Sequence, residues 1–308
     1  MTDWLMIAAG LVLLFGGGEA LVRGAVGLSR RMGISELAIG LTVVGFGTSM
    51  PELLVSADAA LGGKPGIALG NVIGSNTANI LLILGLSALI APVTGWSGAI
   101  RRDVTVMVVA AVLALALGFG GSIGRWHGAI MLVALGAYLF WTFRQSQAEP
   151  AAHEHVAESH SPLWLGAFLV GGLAALFAGA HFLVEGATSV ARNLGVPEAI
   201  IGLTIVAVGT SLPEMATSLV AAVRGNSAVA IGNVVGSNIF NILGILGITA
   251  IIAPLSVDAS MARFDIPVML AVSLLLAALL LMTRRINRAT GAAILLAYAG
   301  YTAWLFLG

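Results

Sequence analysis

The sequence contains one six-residue motif twice, as Gly47-Thr48-Ser49-Met50-Pro51-Glu52 and as Gly209-Thr210-Ser211-Leu212-Pro213-Glu214. Each copy places a proline and a glutamate inside a long apolar stretch. Pro51 has no amide hydrogen and clashes with the carbonyl group four residues back, so the motif predicts a helix that opens at Gly47. Thr48 and Ser49 precede Glu52 by four and three residues, and a helix would place their hydroxyls on the face of the carboxylate.

The composition around these motifs is that of a membrane protein. Of the 308 residues, 59% are hydrophobic and 9% are charged, whereas roughly 25% of the residues of a soluble domain are charged. The formal net charge is zero and cysteine is absent. These values argue against a soluble globule, exclude disulfides and thiolate metal sites, and give no indication of a nucleic-acid partner.

Ten apolar segments are long enough to cross a bilayer, which takes about 20 residues each. We therefore predict an all-α integral membrane protein with ten transmembrane helices. The predicted spans are 4–28, 36–61, 66–91, 104–121, 126–144, 163–188, 198–222, 228–253, 264–283 and 289–307.

The two motifs belong to a duplication with a constant spacing of 162 residues. Between 68–92 and 230–254, 17 of 25 aligned positions are identical, and the identical residues include Asn, Ser and Pro. The predicted organisation is a five-helix repeat at 1–144, a linker at 145–162 and a second five-helix repeat at 163–308. Because five is odd, the second repeat enters the membrane from the opposite side, and such inverted repeats place substrate sites near the midplane.

The basic residues predict the orientation in the membrane. Ten of the fourteen lie in or beside the loops that follow odd-numbered spans, and cytoplasmic loops carry the excess of Lys and Arg. The linker at 145–162 is therefore expected in the cytoplasm and both termini outside.

Glu52 and Glu214 lie well within their predicted spans, where a carboxylate usually marks an ion or proton path. Companion segments in the third and eighth spans add pairs of Ser and Asn four residues apart, Ser75 with Asn79 and Ser237 with Asn241. This ligand set is all oxygen, which favours hard cations, and flexible neutral oxygens with two carboxylates suit Ca²⁺. Several Na⁺ ions or protons would also neutralise the charge of −2. For four further asparagines, helix packing and a functional role both stay open: Asn71, Asn76, Asn233 and Asn238.

The paired patterns G-T-S-x-P-E and G-N-x-x-G-S-N-x-x-N resemble the alpha repeats of the cation/calcium exchanger superfamily, best known from sodium/calcium exchangers. The resemblance covers nearly the whole chain, and it implies a ten-helix inverted-repeat fold whose helices two, three, seven and eight surround the ions. It also implies that Glu52 and Glu214 are the central Ca²⁺ ligands, with backbone oxygens of Thr48 and Thr210. The further ligands it implies are Ser49, Ser75, Ser211, Ser237, the carbonyls of Gly45 and Ala207, and the side chains of Asn79 and Asn241.

The chain departs from some members of that superfamily in two respects. Potassium-dependent members place an Asp at one of the two Asn positions, so Asn79 and Asn241 argue against K⁺ cotransport. The linker is too short for the large cytoplasmic regulatory domain of animal exchangers. The short linker resembles that of a minimal, prokaryotic member, which we expect in the inner (plasma) membrane.

The sequence therefore predicts a secondary active antiporter, not an enzyme, which exchanges Ca²⁺ for Na⁺ by alternating access. A Ca²⁺/H⁺ antiporter is the alternative in the same class, and a passive cation channel is the alternative from another class. An intramembrane hydrolase would need a nucleophile with its base, and neither is evident. We expect no cofactor. The expected substrates are Ca²⁺ and Na⁺ (or H⁺), and the expected partners are these cations and the lipid bilayer, without nucleic acid or an obligate protein partner.

Overall fold

A computed structural model describes residues 2–94, 98–148, 161–195, 207–283 and 285–307, and these are predominantly helical. The helices before the linker are α1 (Thr2–Met32), α2 (Glu36–Ile39), α3 (Gly45–Thr48), α4 (Met50–Leu61), α5 (Pro65–Ala78), α6 (Gly85–Ile90), α7 (Gly98–Phe119) and α8 (Arg125–Ala148). Those after it are α9 (Pro162–Asn193), α10 (Ala207–Gly209), α11 (Leu212–Val223), α12 (Ser227–Ile239), α13 (Gly247–Ile252), α14 (Ala259–Arg263), α15 (Asp265–Thr283) and α16 (Arg288–Leu307). Residues 149–160 of the predicted linker and 198–206 of the seventh predicted span lie outside the described residues.

Among the residues that the structure describes, three short segments wind as π-helix and join α-helices end to end. They are Gly40–Val44 between α2 and α3, Asn79–Leu84 between α5 and α6, and Phe240–Leu246 between α12 and α13. Such wide turns are rare and occur frequently at functional sites. The sequence did not predict them.

The prediction of an all-α membrane protein is confirmed. Within the described ranges, seven continuous helical stretches are long and apolar enough to span a membrane, and the pair Glu36–Thr48 and Met50–Leu61, bent by 44°, makes an eighth if it is one span. The count of ten stays a prediction. Helices α1 and α9 continue beyond the predicted spans, to Met32 and to Asn193. Their last turns carry arginines, whose long side chains can reach water while the helix continues.

In the described part of the chain, two small antiparallel ribbons join the two halves of the molecule. Strand β1 (Val93–Thr94) pairs with β4 (Arg285–Ile286), and β2 (Ser122–Ile123) pairs with β3 (Leu255–Ser256). Each ribbon therefore joins one strand from each repeat.

Helices α1 and α9 pack antiparallel along two rows of glycines, each row spaced by seven residues. A Cβ atom on Gly17 would lie 2.8 Å from the carbonyl oxygen of Gly172, and one on Gly179 would lie 2.9 Å from that of Gly10. The backbones are therefore in direct contact, as small residues allow in membrane helix pairs. We refer to α1 and α9 together as the two-helix unit. The glycines are Gly10, Gly17 and Gly24 on α1, and Gly172, Gly179 and Gly186 on α9.

Helices α5 and α12 lie at the centre of the remaining helices. Every residue of α12 except Ala228 is buried, and the polar side chains of Asn233, Ser237 and Asn238 are among them. Helix α4 packs on α5, and α11 packs on α12. The duplicated motifs are thereby brought into the interior.

Candidate cation site

The site lies where two broken helices meet. Ser49 separates α3 from α4 with φ −83° and ψ 7°, and Ser211 precedes α11 with φ −88° and ψ 7°. Pro51 and Pro213 lie in the first turns of α4 and α11, where proline is tolerated because no intrahelical N–H bond is lost. The predicted opening is confirmed in position to within two residues, since Ser49 N–H still donates to Gly45 O at 3.3 Å.

Each glutamate accepts a hydrogen bond from the other repeat. Ser49 Oγ donates to Glu214 Oε1 at 2.8 Å, and Ser211 Oγ donates to Glu52 Oε1 at 3.0 Å. Sequence reasoning placed each serine with the glutamate of its own helix, three residues away. The structure instead crosses the pairs, so the two motifs form one site.

The two carboxylates are buried without a cationic partner. Glu52 and Glu214 are each 1% exposed, and no ion pair between described residues includes either one. In the described part of the chain, the second oxygen of each carboxylate, Oε2, also lacks a hydrogen-bond partner. Burying an ionised carboxylate costs much free energy unless it is paired, so this site requires cations or protons.

The ligands that could complete the site are neutral oxygens. No group of three or more His, Cys, Asp or Glu residues that could hold a metal ion occurs among the described residues. The helix that ends at Thr48 turns the negative end of its dipole toward the break. Carboxylate, hydroxyl, amide and carbonyl oxygens together are the donor set of a hard cation such as Ca²⁺ or Na⁺.

Two asparagines line the π-helical turns beside the glutamates. Asn79 opens the turn Asn79–Leu84, and Asn241 lies in Phe240–Leu246. Helix α4 packs against the turn that carries Asn241, and α11 against the turn that carries Asn79. Both side chains are 1% exposed, and neither side-chain oxygen has a hydrogen-bond partner among the described residues.

The other predicted site residues lie on the same elements. Ser237 Oγ donates to the carbonyl oxygen of Gly45 at 3.3 Å, and the Thr48 hydroxyl lies 3.2 Å from Asn233 Oδ1. Three more follow, of which Thr210 has a buried hydroxyl without a hydrogen-bond partner among the described residues. Ser75 is buried on α5 one turn before the π-helix, Ala207 begins α10, and Thr210 lies between α10 and α11.

Two asparagines that the sequence left undecided hold the glutamate backbones. Asn71 Nδ2 donates to Glu52 O at 3.1 Å and to Ser56 Oγ at 2.9 Å. Its repeat partner Asn233 makes the same pair of bonds, to Glu214 O at 3.1 Å and to Ser218 Oγ at 2.8 Å. The sequence carried one indication of this role, because Asn occupies the corresponding position in both repeats.

Comparison with known proteins places this arrangement among exchangers. The family model "Sodium/calcium exchanger protein" matches residues 2–144 and 164–307. The chain is 41% identical over 315 residues to the "Putative antiporter CaxA" of Alkalimonas amylolytica, covering 98% of both chains. It is 36% identical over 313 residues to the "Inner membrane protein YrbG" of Escherichia coli, covering 97% of this chain and 94% of that protein. A solved structure of the sodium-calcium exchanger NCX_Mj superposes with a TM-score of 0.87 at 33% identity, covering 98% of both chains.

Proposed function

Because the chain belongs to the sodium/calcium exchanger family, a family of membrane transporters, we propose that it is a secondary active antiporter that exchanges Ca²⁺ for Na⁺. The observation that carries the proposal is the pair of buried glutamates, whose Oε2 atoms lack partners in the described part of the chain. Two carboxylates carry a charge of −2, which one Ca²⁺ neutralises. Several Na⁺ ions achieve the same neutralisation, and the competition between the two loads couples their movements.

In this proposal, Glu52 and Glu214 bind both cations at the midplane. The Ser49 and Ser211 hydroxyls hold one oxygen of each carboxylate, at 2.8 and 3.0 Å, which leaves the other oxygen for the ion. The remaining ligands of the proposal are the hydroxyls of Ser75 and Ser237, the side-chain oxygens of Asn79 and Asn241, and backbone oxygens of Gly45, Thr48, Ala207 and Thr210.

The strand pairing supports an inverted relationship between the repeats. Helix α7 has 22 residues and is about 33 Å long, enough to put β1 and β2 on opposite sides of a bilayer. Because β1 pairs with β4 and β2 with β3, the path from β3 to β4 runs opposite to the path from β1 to β2. Helices α7 and α15 occupy corresponding places in the two repeats. They would therefore cross the membrane in opposite directions.

Unequal packing of the two repeats supports alternating access. Helix α1 packs closely on α11, since a Cβ atom on Gly18 would lie 3.2 Å from Ala216 O, and Glu19 forms an ion pair with Arg224. The position in α4 that corresponds to Ala216 is Leu54, which is 66% exposed. One side of the molecule is thus closed by the two-helix unit and the other is not. If the two-helix unit packed on α4 instead of α11, the site would be closed on the side that is now open and open on the other side.

The central helices differ in the same way. Gly70 is exposed and Asn71 half-buried on α5, whereas their partners Gly232 and Asn233 on α12 are buried. The face of α5 that carries Gly70 and Asn71 is therefore the more open one, and in this proposal it lines the water-filled access path. In the predicted orientation, this face opens to the outside of the cell.

The space beside the two-helix unit supports its movement. A cavity of about 570 Å³ is lined by Leu173 and Phe177 of α9, by Phe46 and Gly47 of α3, and by Phe240. Its walls are apolar, and beside it α9 contacts α3 through Leu173, whose side chain would lie 3.0 Å from a Cβ atom on Gly47. The glycine rows, by contrast, join α1 to α9 without a gap. We propose that α1 and α9 shift together when the site changes sides.

Ca²⁺ uptake into proteoliposomes under imposed Na⁺, H⁺ or K⁺ gradients tests the proposal. We expect uptake driven by an outward Na⁺ gradient and no response to K⁺. Uptake driven by protons but indifferent to Na⁺ would replace the proposal with Ca²⁺/H⁺ antiport. Ca²⁺ movement that needs no counter-ion would indicate a passive channel.

A further inference from the structure

We propose that Asn76 and Asn238 are positioning residues that turn the side-chain oxygens of Asn79 and Asn241 toward the bound cation. The inference rests on the proposed function, because Asn79 and Asn241 are ligands only in that proposal. Asn76 and Asn238 themselves contact these side chains and not the ion.

Asn76 and Asn238 are repeat partners that bond to each other where α5 and α12 meet. Asn76 Nδ2 donates to the backbone oxygen of Asn238 at 3.4 Å, and Asn238 Nδ2 donates to that of Asn76 at 3.3 Å. A methionine sulfur lies beside each amide, Met269 Sδ at 3.5 Å from Asn76 Nδ2 and Met107 Sδ at 3.7 Å from Asn238 Nδ2. Both asparagines are 1% exposed, so water does not compete for these bonds.

The backbone carbonyls determine which way each amide points. A carbonyl oxygen only accepts hydrogen bonds, so Asn238 must present its NH₂ group to Asn76 O and its own Oδ1 elsewhere. That Oδ1 accepts from Asn79 Nδ2 at 2.9 Å. In the mirror pair, Asn76 Oδ1 accepts from Asn241 Nδ2 at 3.1 Å. Each hydrogen bond has one donor and one acceptor, so the bond to the backbone carbonyl determines which atom of every amide in the series is O and which is N.

This series of hydrogen bonds ends at the side-chain oxygens of Asn79 and Asn241. Both oxygens are buried, and both lack a partner among the described residues. A buried acceptor without a partner is costly, and a cation ligand removes that cost. Asn76 and Asn238 therefore supply what orients a metal ligand from behind, a fixed acceptor for its donor group.

The same bonds disfavour a third carboxylate in the site. An Asp at position 79 would place a carboxylate oxygen against Asn238 Oδ1, two acceptors without a hydrogen between them. Position 241 faces Asn76 Oδ1 in the same way. We refer to the bonds of Asn79 to Asn238 and of Asn241 to Asn76 as the relay. The relay therefore keeps the charge of the site at −2, the charge of Glu52 and Glu214 alone.

A double-mutant cycle tests the relay with Ca²⁺ as the probe. Ca²⁺ affinity is measured from thermal stabilisation of the full chain in detergent, and the KM for Ca²⁺ from uptake into proteoliposomes. Asn238→Leu and Asn79→Leu should each weaken Ca²⁺ binding roughly tenfold or more. In the Asn79→Leu background, Asn238→Leu should have no further effect on Ca²⁺ binding. Without the Asn79 amide, the Oδ1 atom of Asn238 has no side chain to orient.

Asn76→Leu in the Asn79→Leu background is the matched control. Asn76 orients Asn241 and not Asn79, so Asn76→Leu should still weaken Ca²⁺ binding in this background. The fold-changes of the two single substitutions should then multiply in the double variant. If Asn238→Leu does not give monodisperse protein, Asn238→Ala enters the same cycle. It removes the same acceptor without adding apolar bulk.

Three results would contradict these assignments in different ways. If Asn238→Leu weakens binding by the same factor with and without Asn79, it acts on the fold, and the relay is wrong. If Asn79→Leu leaves Ca²⁺ affinity unchanged, Asn79 is not a ligand, and the relay and that part of the proposed site fail together. If the cycle behaves as expected but uptake ignores Na⁺, only the proposed counter-ion is wrong.

Discussion

Ser49 donates a hydrogen bond to the carboxylate of Glu214, 165 residues further along the chain. The two side chains belong to different copies of one motif, so neither copy is complete by itself. Ser211 returns the bond to Glu52. Any change in one copy is therefore expected to affect the carboxylate of the other.

Replacing either glutamate by glutamine should abolish exchange. Glu52→Gln and Glu214→Gln each leave a charge of −1 in a site that has to neutralise Ca²⁺, while the amide keeps the shape of the side chain. Na⁺-driven Ca²⁺ uptake into proteoliposomes is the measurement. The thermal unfolding temperature of each variant without Ca²⁺ should equal or exceed that of the parent protein, because a buried charge is removed. Exchange retained in either variant would refute the assigned roles.

Removing the hydroxyl of Ser49 or Ser211, each of which bonds to the glutamate of the other repeat, should weaken cation binding without abolishing exchange. Ser49→Ala frees Glu214 Oε1, and Ser211→Ala frees Glu52 Oε1, so each carboxylate loses a fixed orientation. Loss of such a supporting group typically costs 10- to 100-fold in metal affinity, and we expect a rise of about tenfold or more in the KM for Ca²⁺. Ser273→Ala is the control, because Ser273 is buried but donates to Met269 O within its own helix. A KM unchanged in both site variants would contradict the crossed geometry.

The glycine rows should tolerate no side chain on their contact face. Gly17→Ala and Gly172→Ala would each place a Cβ atom within 3 Å of the other helix's backbone, so both should lower the unfolding temperature. Gly16→Ala and Gly171→Ala are matched controls one residue away, where an added Cβ atom meets nothing within 4 Å. At those positions alanine should stabilise the helix by about 1 kcal/mol. Equal effects at neighbouring positions would mean that α1 and α9 do not pack as described.

Cysteine labelling should reveal the open face of α5 and its orientation. The protein has no native cysteine, so single variants need no altered background. We expect Gly70→Cys to react with a membrane-impermeant maleimide added outside intact cells, because Gly70 is exposed. Ala68→Cys on the same helix should not react, because Ala68 is 0% exposed. Reaction of Gly70→Cys only from the cytoplasmic side would reverse the proposed orientation.

The sequence predicted the features that depend on one segment at a time. Pro51 and Pro213 marked both helix breaks, because the missing N–H group acts within one turn of helix. Glu52 and Glu214 stood out because carboxylates are rare in apolar spans. The all-helical fold followed from the lengths of the apolar segments.

Contacts between segments could not be read in the same way. Helical periodicity relates Ser49 to Glu52, three residues away, and gives no information about Glu214 in another helix. The π-helical turn at Asn79–Leu84 likewise depends on how α5 and α6 pack, since its sequence is an ordinary apolar one. Asn76 and Asn238 stayed undecided because a buried amide serves packing and function equally well. Their bonds to Asn79 and Asn241, on which the proposed positioning role rests, are visible only in the structure.

The reciprocal bond between Asn76 and Asn238 has a consequence for the ancestry of the chain. A residue that meets its own counterpart makes an isologous contact, the kind found on the two-fold axis of a homodimer. Two identical polypeptides of half this length, inserted in opposite directions, would satisfy the same bonds with a single asparagine codon. With the repeats inverted as proposed, duplication and fusion of a half-length gene would require no new interface at the centre of this molecule.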